Sequence, residues 1–142
     1  MVADLPGVET VTTKLVPSNA KEAKACQNIA AKLGRLNKGQ GISFAGASMT
    51  SAGSAALRSA TQLLSNCRIV TIRVVGHTDG SVINGSELSL RRANIVRKAL
   101  IAGGVDKERI TASGFADAYP ALRADSARAR ALNNRVTIDV QE

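Results

Sequence analysis

Apolar residues recur at helical spacing in two early stretches of the chain. Ala23, Cys26, Ile29, Ala30, Leu33 and Leu36 share one face of a helix that Asn19, with Glu22 three residues later, opens as a capping box; it is expected to run to about Leu36. Gly39-Gln40-Gly41 breaks the pattern, and Ile42 and Phe44 alternate as a short strand. Ser51 then opens a second helix with Ala56, Leu57, Ala60, Leu63 and Leu64 on one face, a stripe that Cys67 continues. The segment "RIVTIRVVG", Arg68–Gly76, is nearly continuous in β-branched residues, the pattern of a central strand covered on both faces. A third helix is predicted from Asn84 or Ser86 to Ala102, ending at Gly103-Gly104, where a glycine can take the left-handed conformation. Strands at Ile110–Phe115 and Val136–Val140 follow, joined by a polar stretch holding Pro120 and a short Ala/Arg-rich helix. This order predicts an α/β sandwich, a mixed sheet of about four strands with helices packed on it.

Residues 1–18 alternate around Val8, Val11 and Leu15 and stop at Pro17, so they read as a lead-in or linker before a domain spanning 19–142. With 142 residues and 44% hydrophobic content the chain suits one domain, and with only 2% aromatics its core must be built from Val, Ile, Leu and Ala. No apolar run approaches the ~18 residues of a membrane span, and residues 1–20 lack the basic-then-apolar pattern of a signal peptide, so an exported form would be one already trimmed. Nineteen Lys and Arg against eleven Asp and Glu give a net charge of +8. The charge is dispersed along the chain, which favours a role in solubility over a polyanion-binding patch.

Cys26 and Cys67 have neither CxxC spacing nor enough histidine partners for a structural zinc site, and no metal or cofactor is expected. Both lie on the core-facing stripe of their helices. Two readings stay open: two small buried hydrophobes, or one disulfide tying the first helix to the end of the second, which an exported location would favour.

The third helix holds an anomaly. Leu88, Ala93, Ile95, Val96, Ala99 and Leu100 form one broad apolar stripe, and Arg92 points into its middle, whereas Arg91, Asn94, Arg97 and Lys98 fall outside it. A guanidinium does not give up its proton, so burying it near the positive end of a helix requires a negative partner. Asp79, in the loop that leaves the "RIVTIRVVG" strand, is the candidate, and crevices beyond strand ends are common ligand sites in α/β folds. The pair is either a plain salt bridge that orders the loop or a split receptor. In the second case Asp79 takes an ammonium, while Arg92 and the helix's free N–H groups take a carboxylate of one zwitterionic group.

"GHTD" (76–79), "LSLRRA" (88–93), "GV" (104–105) with Arg109, "SGFADAYP" (113–120) and "ALNNRVTI" (131–138) resemble, in order and spacing, the OmpA-like C-terminal peptidoglycan-binding domain. That family includes outer-membrane OmpA tails, peptidoglycan-associated lipoproteins and flagellar stator proteins. The resemblance covers about residues 41–142 and implies an OmpA-like sandwich in the cell envelope, on the periplasmic side of the outer membrane or facing the wall. It implies non-covalent binding of the peptidoglycan stem peptide, with Asp79 and Arg92 gripping the amino and carboxylate ends of diaminopimelate. Thr78, Leu88 and Ser89 would support the grip at the pocket mouth, and Asn133 and Arg135 where the last strand begins. Residues 5–15 also resemble the end of a BON domain, a small lipid-associated module that would precede this one. The chain departs from the family pattern at Gly85, where an Asn is usual, at Ala124, at Ala129-Arg130 and at Asn134, which replaces the first Arg of an "NRRV" signature. These departures leave the grip intact and fall on the outer contacts to glycan and stem peptide.

An enzyme is not expected: His77 is the sole histidine, and no HExxH, GxSxG, P-loop or dinucleotide fingerprint occurs. His77 is expected to hydrogen-bond within its own loop. The alternative from a different class is a basic nucleic-acid- or polyanion-binding module, supported by the net charge and by Arg91, Arg92, Arg97 and Lys98 on one helix. The scarcity of aromatics and of nucleic-acid motifs stands against it.

Overall fold

The predicted first helix is two helices. Asn19 caps α1 (Ala20–Cys26) by accepting the Glu22 N–H at 2.8 Å; the chain then turns at Gln27 and Asn28, where Asn28 takes φ 56°, and α2 (Ile29–Lys38) begins. The apolar spacing runs through this break unchanged, but an asparagine can adopt the left-handed conformation locally. The computed structural model describes residues 19–38, 41–81, 84–118, 120 and 126–141; the lead-in 1–18 and Ala124 lie outside them. Within them follow β1 (Ile42–Ala45), β2 (Ser48–Met49), α3 (Ser51–Asn66), β3 (Thr71–Gly76), α4 (Gly85–Ala102), a 3-10 turn at Lys107–Arg109, β4 (Ile110–Gly114), α5 (Ala127–Asn133) and β5 (Arg135–Gln141).

The sheet has five strands in the order β2-β1-β5-β3-β4. The extra strand over the expected four is β2, two residues that pair back on β1. The last strand enters between β1 and β3, antiparallel to both, and β3 runs parallel to β4 through the α4 crossover. The "RIVTIRVVG" strand is therefore next to the edge and not central. Its helix-facing side chains, Ile72 and Val74, join Val136 and Ile138 in the core with Leu57, Leu64, Val96 and Leu100. Its other face is not helix-covered as expected: Arg73 and Val75 line a groove of about 440 Å³ with His77, Phe115, Arg135 and Thr137.

Close approach of α4 to the sheet depends on two glycines. A Cβ on Gly76 would lie 1.7 Å from the Ser89 carbonyl oxygen, and one on Gly114 would lie 2.5 Å from the Leu90 nitrogen. Any side chain at either position would push the start of α4 off the strand ends. The far end of α4 closes in the Schellman pattern, with Gly104 at φ 103°, Gly104 N–H to Ile101 O at 3.1 Å and Val105 N–H to Leu100 O at 3.0 Å. Beyond β5's pairing with β1, the side chain of Asn37 on α2 bonds both the N–H and the C=O of Ile138 and so covers the open strand edge.

Cys26 and Cys67 are joined in a disulfide, with 41 residues of sequence separation. Two further contacts fasten the same corner. Glu22 accepts the Arg68 N–H at 2.8 Å, and the buried Arg109 donates to the Cys67 and Val70 carbonyls at 2.7 Å each. Arg109 thus satisfies carbonyl groups where α3 ends and β3 begins, and that is its place in the motif quoted above. Replacing both cysteines with alanine should lower unfolding free energy by about 4 kcal/mol, the chain entropy of a loop of this length. Urea denaturation of the oxidised and double-variant proteins measures it; a difference under about 1 kcal/mol would mean that the Glu22 and Arg109 contacts hold the corner alone.

Candidate functional site

Arg92 leaves the buried face of α4 and is 1% exposed. Its Nε donates to the Gly46 carbonyl in the β1–β2 turn at 2.8 Å, and its Nη1 donates at 2.8 Å to both the His77 carbonyl at the end of β3 and the Asn134 side-chain oxygen. The guanidinium also lies over the Phe44 ring, 5.7 Å from its centroid. One side chain therefore ties together the first hairpin, the exit of β3 and the α5–β5 junction. Burial lowers the Arg92 pKa and the charge of Asp79 works against that, so the group stays a cation.

Asp79 is 6% exposed and does not touch Arg92: no ion pair within 4.0 Å joins them. The carboxamide of Asn134 stands between the two. Its nitrogen donates to Asp79 Oδ2 at 2.5 Å and to the Arg130 carbonyl at 2.7 Å, while its oxygen receives Arg92. The other carboxylate oxygen of Asp79 accepts the Ser81 N–H at 2.8 Å and the Ser81 hydroxyl. Burial pushes the Asp79 pKa up, but the Ser81 hydroxyl, the Asn134 amide, the Ser81 N–H and the charge of Arg130 together hold it below its ordinary value. The plain salt bridge weighed above is thus replaced by a three-part relay, carboxylate to carboxamide to guanidinium.

The remaining residues separate into two groups. Thr78, 2% exposed, gives its N–H to the Ala116 carbonyl at 2.9 Å, and Leu88 is half-buried in the first turns of α4. Ser89 is not at a pocket mouth: it is fully buried, and its hydroxyl accepts the Ala116 N–H at 3.1 Å and donates to the Ser86 carbonyl at 3.0 Å. Ala116 takes φ 50°, a strained value for alanine, and these bonds to Thr78 and Ser89 hold it there. Asn133 is buried at the end of α5, next to Asn134. Arg135 points the other way, into the groove on the helix-free face, because successive β5 residues alternate faces. His77 also leaves its own loop: its Nε2 meets Thr137 Oγ1 on β5 at 3.2 Å.

Sequence reasoning placed Asn134 among the outer contacts; the structure puts it at the centre. Its signal was its position one residue after the end of α5 and one before β5, where a side chain leaves both elements. Ser81 had a clearer one, since an Asp followed two residues later by a donor forms an Asx turn. Gly46 and His77 contribute backbone carbonyls, which no residue pattern reveals. Among the described residues no group of three His, Cys, Asp or Glu could hold a metal ion, and no helix is long and apolar enough to cross a membrane.

Acid should separate two titrations. Burial, then the neighbouring charge of Arg135, lowers the His77 pKa from 6.5 to about 4. The unfolded chain therefore takes up this proton first, so the stability that neutral His77 contributes is complete above pH 6.5 and is lost as the pH falls toward 4, on the order of 2 kcal/mol. Asp79 acts with the same sign in a lower window, its contribution fading only below its ordinary 3.8. Denaturation at pH 7, 5.5 and 4.5 should show the upper slope in the wild type and its loss in His77→Gln; an unchanged slope would assign it to another group.

Comparison with known proteins comes to the same region. The model of the OmpA family matches residues 43–135. The probable lipoprotein YiaD of Escherichia coli is 33% identical over 109 residues, covering 72% of this chain and 49% of its own length. The cell wall anchor of the type VI secretion system of Pseudomonas aeruginosa is 32% identical with a TM-score of 0.60, covering 70% of this chain and 74% of that one. The peptidoglycan-associated lipoprotein of Burkholderia pseudomallei is 25% identical with a TM-score of 0.63, covering 69% and 85%. The chain spans at most about half the length of the curated relatives it matches.

Proposed function

The chain belongs to the OmpA family, and from that premise we propose that it binds peptidoglycan without a covalent bond and anchors an envelope protein to the wall. The relatives support an envelope location by their names: outer membrane porins, lipoproteins, a cell wall anchor and a peptidoglycan-associated lipoprotein. The finer reading is that Asp79 and Arg92 hold the zwitterionic end of diaminopimelate in the stem peptide, Asp79 taking the ammonium and Arg92 the carboxylate.

One observation carries this. A buried cation and a buried anion that served only the fold would gain most by touching, yet these two are held apart with a small polar group between them. A gap flanked by fixed opposite charges in a desolvated place is what a zwitterion needs. The Nη2 group of Arg92 makes no hydrogen bond to a described residue, which leaves a second guanidinium donor for a two-pronged carboxylate contact. The chemistry is binding, since nothing in the relay is placed as a nucleophile.

The structure also decides which variant tests the idea. Arg92→Ala would strand the Gly46 and His77 carbonyls and the Asn134 oxygen, so lost binding could follow from lost folding. Asp79→Asn keeps the shape and an oxygen for Ser81 but sets its amide nitrogen against that of Asn134, so it should cost about 1–3 kcal/mol of stability; the folded variant should lose about 2–5 kcal/mol of affinity for isolated wall sacculi, roughly thirtyfold or more. Arg92→Lys should also bind poorly. Free diaminopimelate should compete, and a stem peptide with lysine in place of diaminopimelate, whose side-chain end carries an ammonium and no carboxylate, should compete less than the diaminopimelate peptide. Normal sacculus binding by a folded Asp79→Asn protein would overturn the assignment. Retention on heparin that collapses with salt, without retention on sacculi, would favour the polyanion-binding alternative.

A further inference from the structure

Asn134 places an amide nitrogen on Asp79 and an amide oxygen on Arg92, at 2.5 Å and 2.8 Å. A carboxamide has a positively polarised N–H end and a negatively polarised oxygen end on one carbon. That is the neutral, shorter counterpart of an ammonium and a carboxylate on one carbon. Resting on the reading just given, we propose that Asn134 is a built-in surrogate of the ligand, occupying the receptor in the free protein, and that a zwitterion binds by displacing it.

Three features support this. The contacts of Asn134 are made to the two charged groups that the ligand would use, so surrogate and ligand compete for the same atoms. With Asn134 in place each charge has a partner across the gap, and Arg92 and Asp79 are 1% and 6% exposed, so the site is closed as it stands. Asn134 is also only partly buried. Asn134 sits at the junction between α5 and β5 with its own backbone held, its N–H on the Arg130 carbonyl at 3.2 Å and its carbonyl accepting the Phe44 N–H at 2.9 Å. In the proposed exchange the side chain rotates outward while these backbone bonds keep the strand in place.

The consequence is selectivity. A ligand with only an ammonium, or only a carboxylate, replaces one of the two contacts and leaves the other charge buried and short of a partner, which is costly. A ligand bearing both on one carbon replaces both, with full charges in place of partial ones. Asn134 thereby acts as a specificity-determining residue: it raises the threshold for every ligand, and most for those with half of the zwitterion.

The test compares wild type with Asn134→Ala and Asn134→Ser, whose side chains are too short to span the gap. Both variants should melt lower than wild type, because Arg92 and Asp79 each lose a partner. Both should bind diaminopimelate and a diaminopimelate-containing muropeptide about tenfold more tightly by calorimetry, and should discriminate less against a muropeptide with lysine in that place, whose side-chain end has an ammonium alone. As a second readout in the wild type, the side-chain amide signal of Asn134 followed by NMR should move on titration from a slowly exchanging to a freely exchanging one. Unchanged or weaker muropeptide binding by both variants, with the wild type binding normally, would make Asn134 a structural cap or a ligand contact and overturn the surrogate alone. Failure of wild type and variants alike to bind either probe would sink the wall-binding reading, and the surrogate with it.

Discussion

A buried guanidinium organises this domain. Arg92 cannot shed its charge, so the fold around it must supply acceptors, and it does so from three places distant in sequence: the turn at Gly46, the strand end at His77 and the junction at Asn134. Each acceptor is held by its own element. The arginine is in turn what gathers those elements at one end of the sheet. Removing an acceptor leaves the charge unsatisfied, and removing the charge leaves buried acceptors unsatisfied, so local sequence changes here act on folding as well as on the proposed binding.

Close packing makes that arrangement possible. Arg92 reaches the strand ends because α4 lies against them, and α4 lies there because Gly76 and Gly114 present no Cβ to its first turns. The same contact buries Ser89, whose hydroxyl fixes the strained Ala116 backbone beside Thr78. The glycines, the serine and the arginine of the quoted motifs thus have different immediate tasks but one result, a rigid floor beneath Asp79. Rigidity would matter to the proposed receptor, since one that holds its charges apart gains selectivity only if they cannot collapse onto each other.

Two polar regions of the molecule differ in their electrostatics. At the Asp79 end the carboxylate lies within the field of two cations, Arg92 and Arg130, and accepts from Ser81 and Asn134. On the opposite sheet face Arg73 and Arg135 line the groove with Asp139 and Lys38, and His77 beside them is held neutral by burial and by Arg135. The net charge of +8 is therefore not concentrated at the proposed binding site.

Much was legible in the sequence because it is written in local periodicity. The apolar faces of α3 and α4, the β-branched run of β3, the Gly103-Gly104 stop and the odd placement of Arg92 all follow from spacings of 3.6 or 2. Asp79 and Arg92 could be paired as candidates for the same reason: one ends a strand loop, the other opens the helix that returns across it. What periodicity cannot carry is which distant groups meet. The insertion of β5 between β1 and β3, the turning of Arg135 to the far face and the station of Asn134 between the two charges depend on long-range register and on backbone acceptors common to every residue. The sequence by itself determined that a buried cation needed an anion nearby, since that follows from the cost of desolvation. Only the tertiary structure decided that a neutral carboxamide would stand between them, because that choice is made by distance and angle among elements far apart in the chain.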